Sequence, residues 1–173
     1  MNGNELEYRN IFIKSIYNSY IIDLHDKKIG VKGCVALLKF LKTNPMITTV
    51  DLSNARIRDE GIILLVKSFD TLIKLNLSYN DISDTGVIEL ANALTNNKSI
   101  NIIDLSNNNI GDKGVTEFGS ALEKNKSLTT INLCNNEITN IGAKYLVNSL
   151  EKNTNITSMD LCGNYIKYTL KNN

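Results

Sequence analysis

The stretch Ile100–Gly119, INIIDLSNNNIGDKGVTEFG, runs from an apolar segment through three consecutive asparagines into a glycine-bearing turn. Asparagine favours neither helix nor strand, yet nearly the same phrase returns as LTTINLCNNEI at Leu128–Ile138. Working outward, the leucines that close each apolar segment are Leu24, Leu52, Leu77, Leu105, Leu133 and Leu161, spaced 28, 25, 28, 28 and 28 residues. Gly33, Gly61, Gly86, Gly114 and Gly142 repeat at 28, 25, 28 and 28. Two independent columns with one period predict a stacked-repeat fold, a solenoid or a propeller.

Each unit has two halves. In the first, apolar residues alternate, as in Leu75 and Leu77, Ile103 and Leu105, Ile131 and Leu133. That period of two is a strand with one face buried. In the second, apolar residues fall one, four, five and eight positions after the glycine: Ile62, Leu65, Val66 and Phe69, then Val87, Leu90, Ala91 and Leu94. That is the buried stripe of a helix. Asp59, Asp84, Asp112 and Asn140 stand two residues before the glycine and are expected as N-caps. Asn44, Asn97, Asn125 and Asn153 stand where each helix ends and are expected in the left-handed conformation that closes it. The 25-residue unit loses three residues, which we assign to a tighter helix-to-strand turn.

The opening asparagines then divide by role. Asn80, Asn108, Asn136 and Asn164 all lie three residues after the strand leucine, where the chain leaves the sheet and its backbone groups lose their ladder partners. An asparagine side chain both donates and accepts, so it can pair those groups between stacked units. Asn107 and Asn109 are expected to face outward. In the first two units Lys27 and Ala55 hold the asparagine position, and their turns require other pairing, with Asn54 a candidate.

The phrases INIIDLSNNNI and LTTINLCNNEI resemble the L-x-x-L-x-L-x-x-N-x-I signature of the leucine-rich repeat family, with isoleucine accepted for leucine. The 28-residue period and glycine-led helix resemble its ribonuclease-inhibitor-like subclass. The resemblance covers Tyr20 to Ile166 and implies an α/β leucine-rich repeat solenoid: a curved right-handed βα superhelix, parallel sheet on the concave face, helices on the convex face. Residues 1–19 are expected as an N-terminal capping helix, opened by an Asn4–Glu7 pair and presenting Leu6, Ile13, Ile16, Tyr17 and Tyr20. Residues 20–173 are expected as an array of about five and a half repeats. The C-terminal LCGNYIKYTLKNN completes a strand and turn without a helix, which leaves Leu161, Ile166 and Leu170 with little above them.

Composition limits the chemistry. The chain carries 42% apolar and 21% charged residues and a net charge of +1, so neither nucleic acid nor an anionic membrane is an expected partner. It has no apolar run of about 18 residues and no apolar leader core, and a cytoplasmic protein is expected. No catalytic constellation is evident. His25 is the single histidine and is expected at the surface. Cys134 and Cys162 share one column, but two thiols alone do not make a zinc site, and the serines Ser53, Ser78 and Ser106 in that column point to a preference for small side chains. No cofactor is expected. GDKG at Gly111–Gly114 is repeat turn rather than a phosphate loop, and NKS at Asn97 and Asn125 marks helix ends.

Function is therefore expected on the sheet. Residues three and one before each strand leucine, and one and two after it, should be exposed there. One before lie Asp23, Asp51, Asn76, Asp104, Asn132 and Asp160; this column is acidic and predicts a protein partner with a basic patch. Lys74 and Ile102 stand three before; Tyr79, Asn107 and Asn135 stand two after. Tyr79 beside Lys74 and Ile102 is the expected anchor. These eleven residues are the candidate partner-binding site of a non-enzymatic protein–protein interaction module. The resemblance also implies regulation of a small GTPase or of a cytoskeletal polymer, since similar repeat domains do both. The open C-terminal end permits a monomer or a weak homodimer.

Overall fold

The computed structural model describes residues 3–18 and 20–167. A helix α1 (Gly3–Lys14) leads into strand β1 (Ile16–Asn18). Strand and helix then alternate: β2 (Ile21–Asp23), α2 (Gly30–Thr43), β3 (Thr49–Asp51), α3 (Arg58–Leu65), β4 (Lys74–Asn76), α4 (Asp84–Asn96), β5 (Ile102–Asp104), α5 (Asp112–Lys124), β6 (Thr130–Asn132), α6 (Asn140–Lys152) and β7 (Ser158–Asp160). The seven strands form one sheet in chain order. β2 to β7 are parallel and in repeat register, so Lys74 lies beside Ile102 and Asn76 beside Asp104.

The alternation seen in the sequence sets the layers. Ile22, Val50, Leu75, Ile103 and Ile131 at the strand centres and Leu24 through Leu133 after them are buried, against helical Leu37, Leu65, Leu90, Phe118 and Leu146. One continuous core results, with each helix packed on those of adjacent repeats. Among the described residues no helix is long and apolar enough to cross a membrane.

The turn asparagines do what their position demands. Asn108 Oδ1 accepts from the N–H groups of Asn80 and Ile82, both at 3.0 Å, in the preceding unit. Its amide donates to the carbonyls of Leu77, Leu105 and Ser106 at 3.0–3.1 Å. Asn80, Asn136 and Asn164 repeat the arrangement. Lys27 and Ala55, which lack that side chain, close their turns by backbone bonds to the Leu24 and Leu52 carbonyls. The Asn54 side chain does not pair the turn backbone; its amide donates to Asp26 Oδ1 at 2.6 Å.

Other expectations are corrected. The helix-opening carboxylates are not N-caps: those positions fall on Ser83, Gly111 and Thr139. Asp84 and Asp112 are the first helical residues and Asp59 the second. They reach across to the next unit. Asp59 accepts from the Ser83 N–H at 2.8 Å and hydroxyl at 2.6 Å. Asp84 accepts from Gly111 N–H at 2.7 Å. Asp112 accepts from the Thr139 N–H and hydroxyl and from Gly142 N–H. Burial pushes the Asp112 carboxyl up, but these bonds outweigh it and hold the group below the usual carboxylate range. Asn140 likewise spans to the Lys167 backbone.

None of the helix-end asparagines is left-handed: Asn44 has φ −132° and its amide bonds its own helix, while Asn97, Asn125 and Asn153 are extended, with φ −69°, −68° and −103°. Those three form a second inter-repeat ladder. Asn125, 1% exposed, donates to the carbonyls of Leu94 and Asn97 and accepts from the N–H groups of Ser127 and Leu128. Helix C-terminal carbonyls lack internal partners, and the next unit supplies them.

The 25-residue unit shortens its helix as well as its link. α3 has 8 residues against 13 in α4, and runs into a 3₁₀ turn at Val66–Ser68 that still delivers buried Phe69 to the core. At the N-terminus the expected helix to residue 19 ends at Lys14, and β1 pairs antiparallel with β2. Its packed face is Tyr8, Ile11 and Phe12, with Phe12 and Phe40 ring centres 5.5 Å apart, while Leu6, Ile13 and Tyr20 are exposed. The Asn4–Glu7 pair and the Tyr17 side chain fall outside the described side chains, and Leu170 outside the described residues. At the other end Leu161 and Ile166 are half-buried, and Ile141, Tyr145 and Val147 of α6 are exposed.

Candidate functional site

The helices all lie on one side of the sheet, and the other side displays the expected columns in register. Three before the leucine, Lys74 and Ile102 are exposed neighbours. One before it, Asp51, Asn76, Asp104 and Asn132 are half-buried in a row. Each also has local work. Asp51 Oδ1 accepts from the Ser53 N–H at 2.8 Å, Asp104 Oδ1 from Ser106 N–H at 2.9 Å, and Asn132 and Asp160 Oδ1 from the next cysteine N–H at 3.0 Å. These are Asx turns that end the strands. The second oxygens of Asp51 and Asp104 accept from the amides of Asn76 and Asn132. The column is thus both negatively charged and partly consumed in holding the sheet edge.

The column one after the leucine is exposed at its two ends, His25 and Cys162, but not along its middle as expected. Ser78, Ser106 and Cys134 are buried, because both serine hydroxyls fold back onto the same acceptor, at 2.9 Å for Asn76 and 2.7 Å for Asp104. Cys162 at the end of the array is exposed. Burial, together with hydrogen bonds to Asp160 and Cys162, pushes the Cys134 thiol up.

The column two after the leucine is where the chain turns left-handed. φ is +59° at Asp26, +51° at Asn54, +57° at Tyr79, +56° at Asn107, +54° at Asn135 and +67° at Gly163. Aspartate, asparagine and glycine tolerate this region; an aromatic residue does not do so readily. Side chains along the column pair as Asp26–Asn54 and Asn107–Asn135, and Tyr79 stands between the two pairs. It is 59% exposed. The repeat places Tyr79 in this column, and the left-handed signal lies in the Asp, Asn and Gly that fill its other positions.

His25 is exposed with Nδ1 2.5 Å from Asp23 Oδ1. The hydrogen bond and charge of Asp23 raise the histidine above its ordinary value. Burial pushes Asp23 up, but His25 outweighs it and holds the carboxyl low. A raised histidine stabilises the fold below the ordinary histidine range, and that contribution is lost as pH rises through the raised value. A proton NMR titration of this single histidine should give a pKa above about 6.5, and Asp23→Asn should return it toward that figure; an unchanged titration in the variant would disprove the pair.

Strand–turn–helix units with parallel in-register strands, buried asparagine turns and one open sheet face define a βα solenoid. A family profile described as "Leucine Rich repeat" matches residues 43–66, 71–91, 96–119 and 124–147, and the chain belongs to the leucine-rich repeat family. Comparison with curated proteins gives no match. Among solved structures, leiomodin-1 actin-binding site 2 is similar at TM-score 0.66 and 20% identity, over 77% of this chain and 78% of that one. A tropomodulin C-terminal domain from Caenorhabditis elegans is similar at TM-score 0.58 and 12% identity, over 91% of this chain and 81% of that one. At these identities the likeness is one of fold.

Proposed function

We propose that this chain is a non-enzymatic protein-binding module that holds its partner on the open sheet face, around Tyr79, Lys74 and Ile102, with the Asp and Asn columns as a polar surround. The observation that carries this reading is Tyr79: a large side chain, 59% exposed, kept at φ +57° in a column that otherwise holds only Asp, Asn and Gly. Strain of this kind persists at sites where a side chain must be presented. A rigid, preformed sheet presents it with little ordering cost on binding. Asp51, Asp104 and Asp160 favour a partner with a basic patch.

Replacing Tyr79 with asparagine relieves the backbone and removes the anchor. The variant should be more stable by roughly 0.5–1 kcal/mol and bind its partner at least about tenfold more weakly. Urea unfolding and titration against the partner check the two halves; loss of stability together with unchanged affinity would overturn the reading. The charge is tested with Asp51→Asn and Asp104→Asn, which keep the Asx-turn oxygen. A flatter dependence of affinity on salt is expected.

The second reading is a cytoskeletal partner, supported by the likeness to a leiomodin-1 domain named as an actin-binding site. Such a partner would place the chain in the cytoplasm. Saturable co-sedimentation with purified actin filaments, or binding to monomeric actin, that Tyr79→Asn weakens would support it. Failure to bind either form would remove this reading alone.

A further inference from the structure

We propose that Cys134, Asp160 and Cys162 form a binding site for a thiophilic divalent cation of the zinc class, clasping β6 to β7 at the last turn of the array. The site follows from register. Cys134 and Cys162 occupy the same position in consecutive units, and β6 pairs with β7 so that Asn132 lies beside Asp160. The two sulfurs and an Asp160 carboxylate oxygen all lie within 4.8 Å of one another. Zinc bonds of about 2.3 Å to sulfur and about 2.0 Å to oxygen place tetrahedral donors roughly 3.3–3.8 Å apart, which small side-chain rotations reach.

The chemistry of the donors differs from that of the other units. Ser53 and Ser106 stand where the cysteines do, and their hydroxyls are spent on Asp51 and Asp104. The second oxygens of those two aspartates are spent on Asn76 and Asn132. Among the described residues no asparagine amide is bonded to Asp160, unlike Asp51 and Asp104. Asp160 Oδ1 is steadied by the Cys162 N–H at 3.0 Å, and a carboxylate oxygen lies within 4.8 Å of the Cys134 sulfur. Two thiolates and a carboxylate select a soft or borderline cation over calcium or magnesium. On binding, each thiol releases its proton to solvent and the metal replaces both. Cys162 and Asp160 are exposed, which gives the ion a path in and leaves a fourth coordination position open to water or to a donor from a bound protein.

The test uses the full chain, freshly reduced, titrated with cobalt(II) and then with zinc(II). Cobalt should produce a sulfur-to-metal charge-transfer band and tetrahedral visible bands at one metal per chain, and zinc should displace it. Zinc should also raise the thermal midpoint. Cys162→Ser, at an exposed position where folding is not at stake, should abolish the charge-transfer band or weaken affinity by at least about tenfold, and Asp160→Asn should weaken it comparably. Cys34→Ser, a change far from the cluster, should leave the band intact. No charge-transfer band in the reduced protein, a band that survives Cys162→Ser, or one metal per two chains would each overturn the proposal.

Discussion

Asn108→Ala should lower the unfolding free energy by about 3–5 kcal/mol. The side chain is 6% exposed and pairs with backbone groups in two consecutive units. Truncation leaves the N–H groups of Asn80 and Ile82 without an acceptor, and each orphaned buried group costs about 1–3 kcal/mol. The carbonyls of Leu77, Leu105 and Ser106 lose a donor as well, although each keeps another, from Asn80, Asn136 and the Tyr79 N–H. The terminal member of the ladder provides the comparison. Asn164 makes the same bonds to Ile138, Leu133 and Leu161 but is only half-buried, so water replaces the lost partner and its alanine variant should cost about 1 kcal/mol. Urea titrations at constant m-value measure both. Equal costs at the two positions would show that the ladder is not what seals the turns.

Gly114→Ala should destabilise by about 2–3 kcal/mol, opposite in sign to the gain of about 1 kcal/mol that alanine brings to an unconstrained helix. A Cβ built on Gly114 meets Asp84 Oδ1 and Val87 Cγ1 at 2.5 Å and the Asp84 Cα at 3.1 Å. Part of that obstacle is backbone, so a rotamer change alone does not clear it. The same contact recurs at Gly142 with Asp112 at 2.5 Å. The repeating glycine therefore marks where the carboxylate of one unit reaches under the helix of the next. Gly111 is the control: its added Cβ would meet Asp84 at 3.4 Å, and Gly111→Ala should cost no more than roughly 1 kcal/mol. Equal costs at the two glycines would refute the close approach as the origin of the glycine column.

These two cases also show what could be read in advance. A 28-residue period tells which residues share a height in the stack, and so Leu105, Asn108 and Gly114 declared strand, turn and helix at once. It does not tell which neighbouring unit a side chain reaches. Asp84 and Asp112 read as N-caps because their own helix was the nearest source of donors; the structure gives them donors one unit on. Asn125 read as a left-handed helix end because that explanation is local; it is buried and bonds the preceding helix instead. At α1 the buried stripe is phased differently from the expectation: Phe12, not Ile13, faces Phe40.

The candidate site divides in the same way. The positions of Lys74 and Ile102 on the sheet face follow from alternation, whereas Tyr79, two residues past buried Leu77, is exposed in the turn where φ is positive. The second duty of Asp51 and Asp104 as Asx-turn acceptors depends on backbone geometry that alternation does not encode. Alternation assigns Asp160 and the two cysteines to separate columns, so it does not reveal that their ligand atoms lie within 4.8 Å of one another.

The central claim is that a protein partner sits on the sheet face. Site-specific photo-crosslinking tests it most directly, with a photoreactive residue placed in turn at Tyr79, at Ile102 and at Glu117 on α5. The account predicts one discrete crosslinked product from positions 79 and 102, abolished by excess unmodified chain, and none from 117. A product formed from 117 while 79 and 102 stay silent would contradict it.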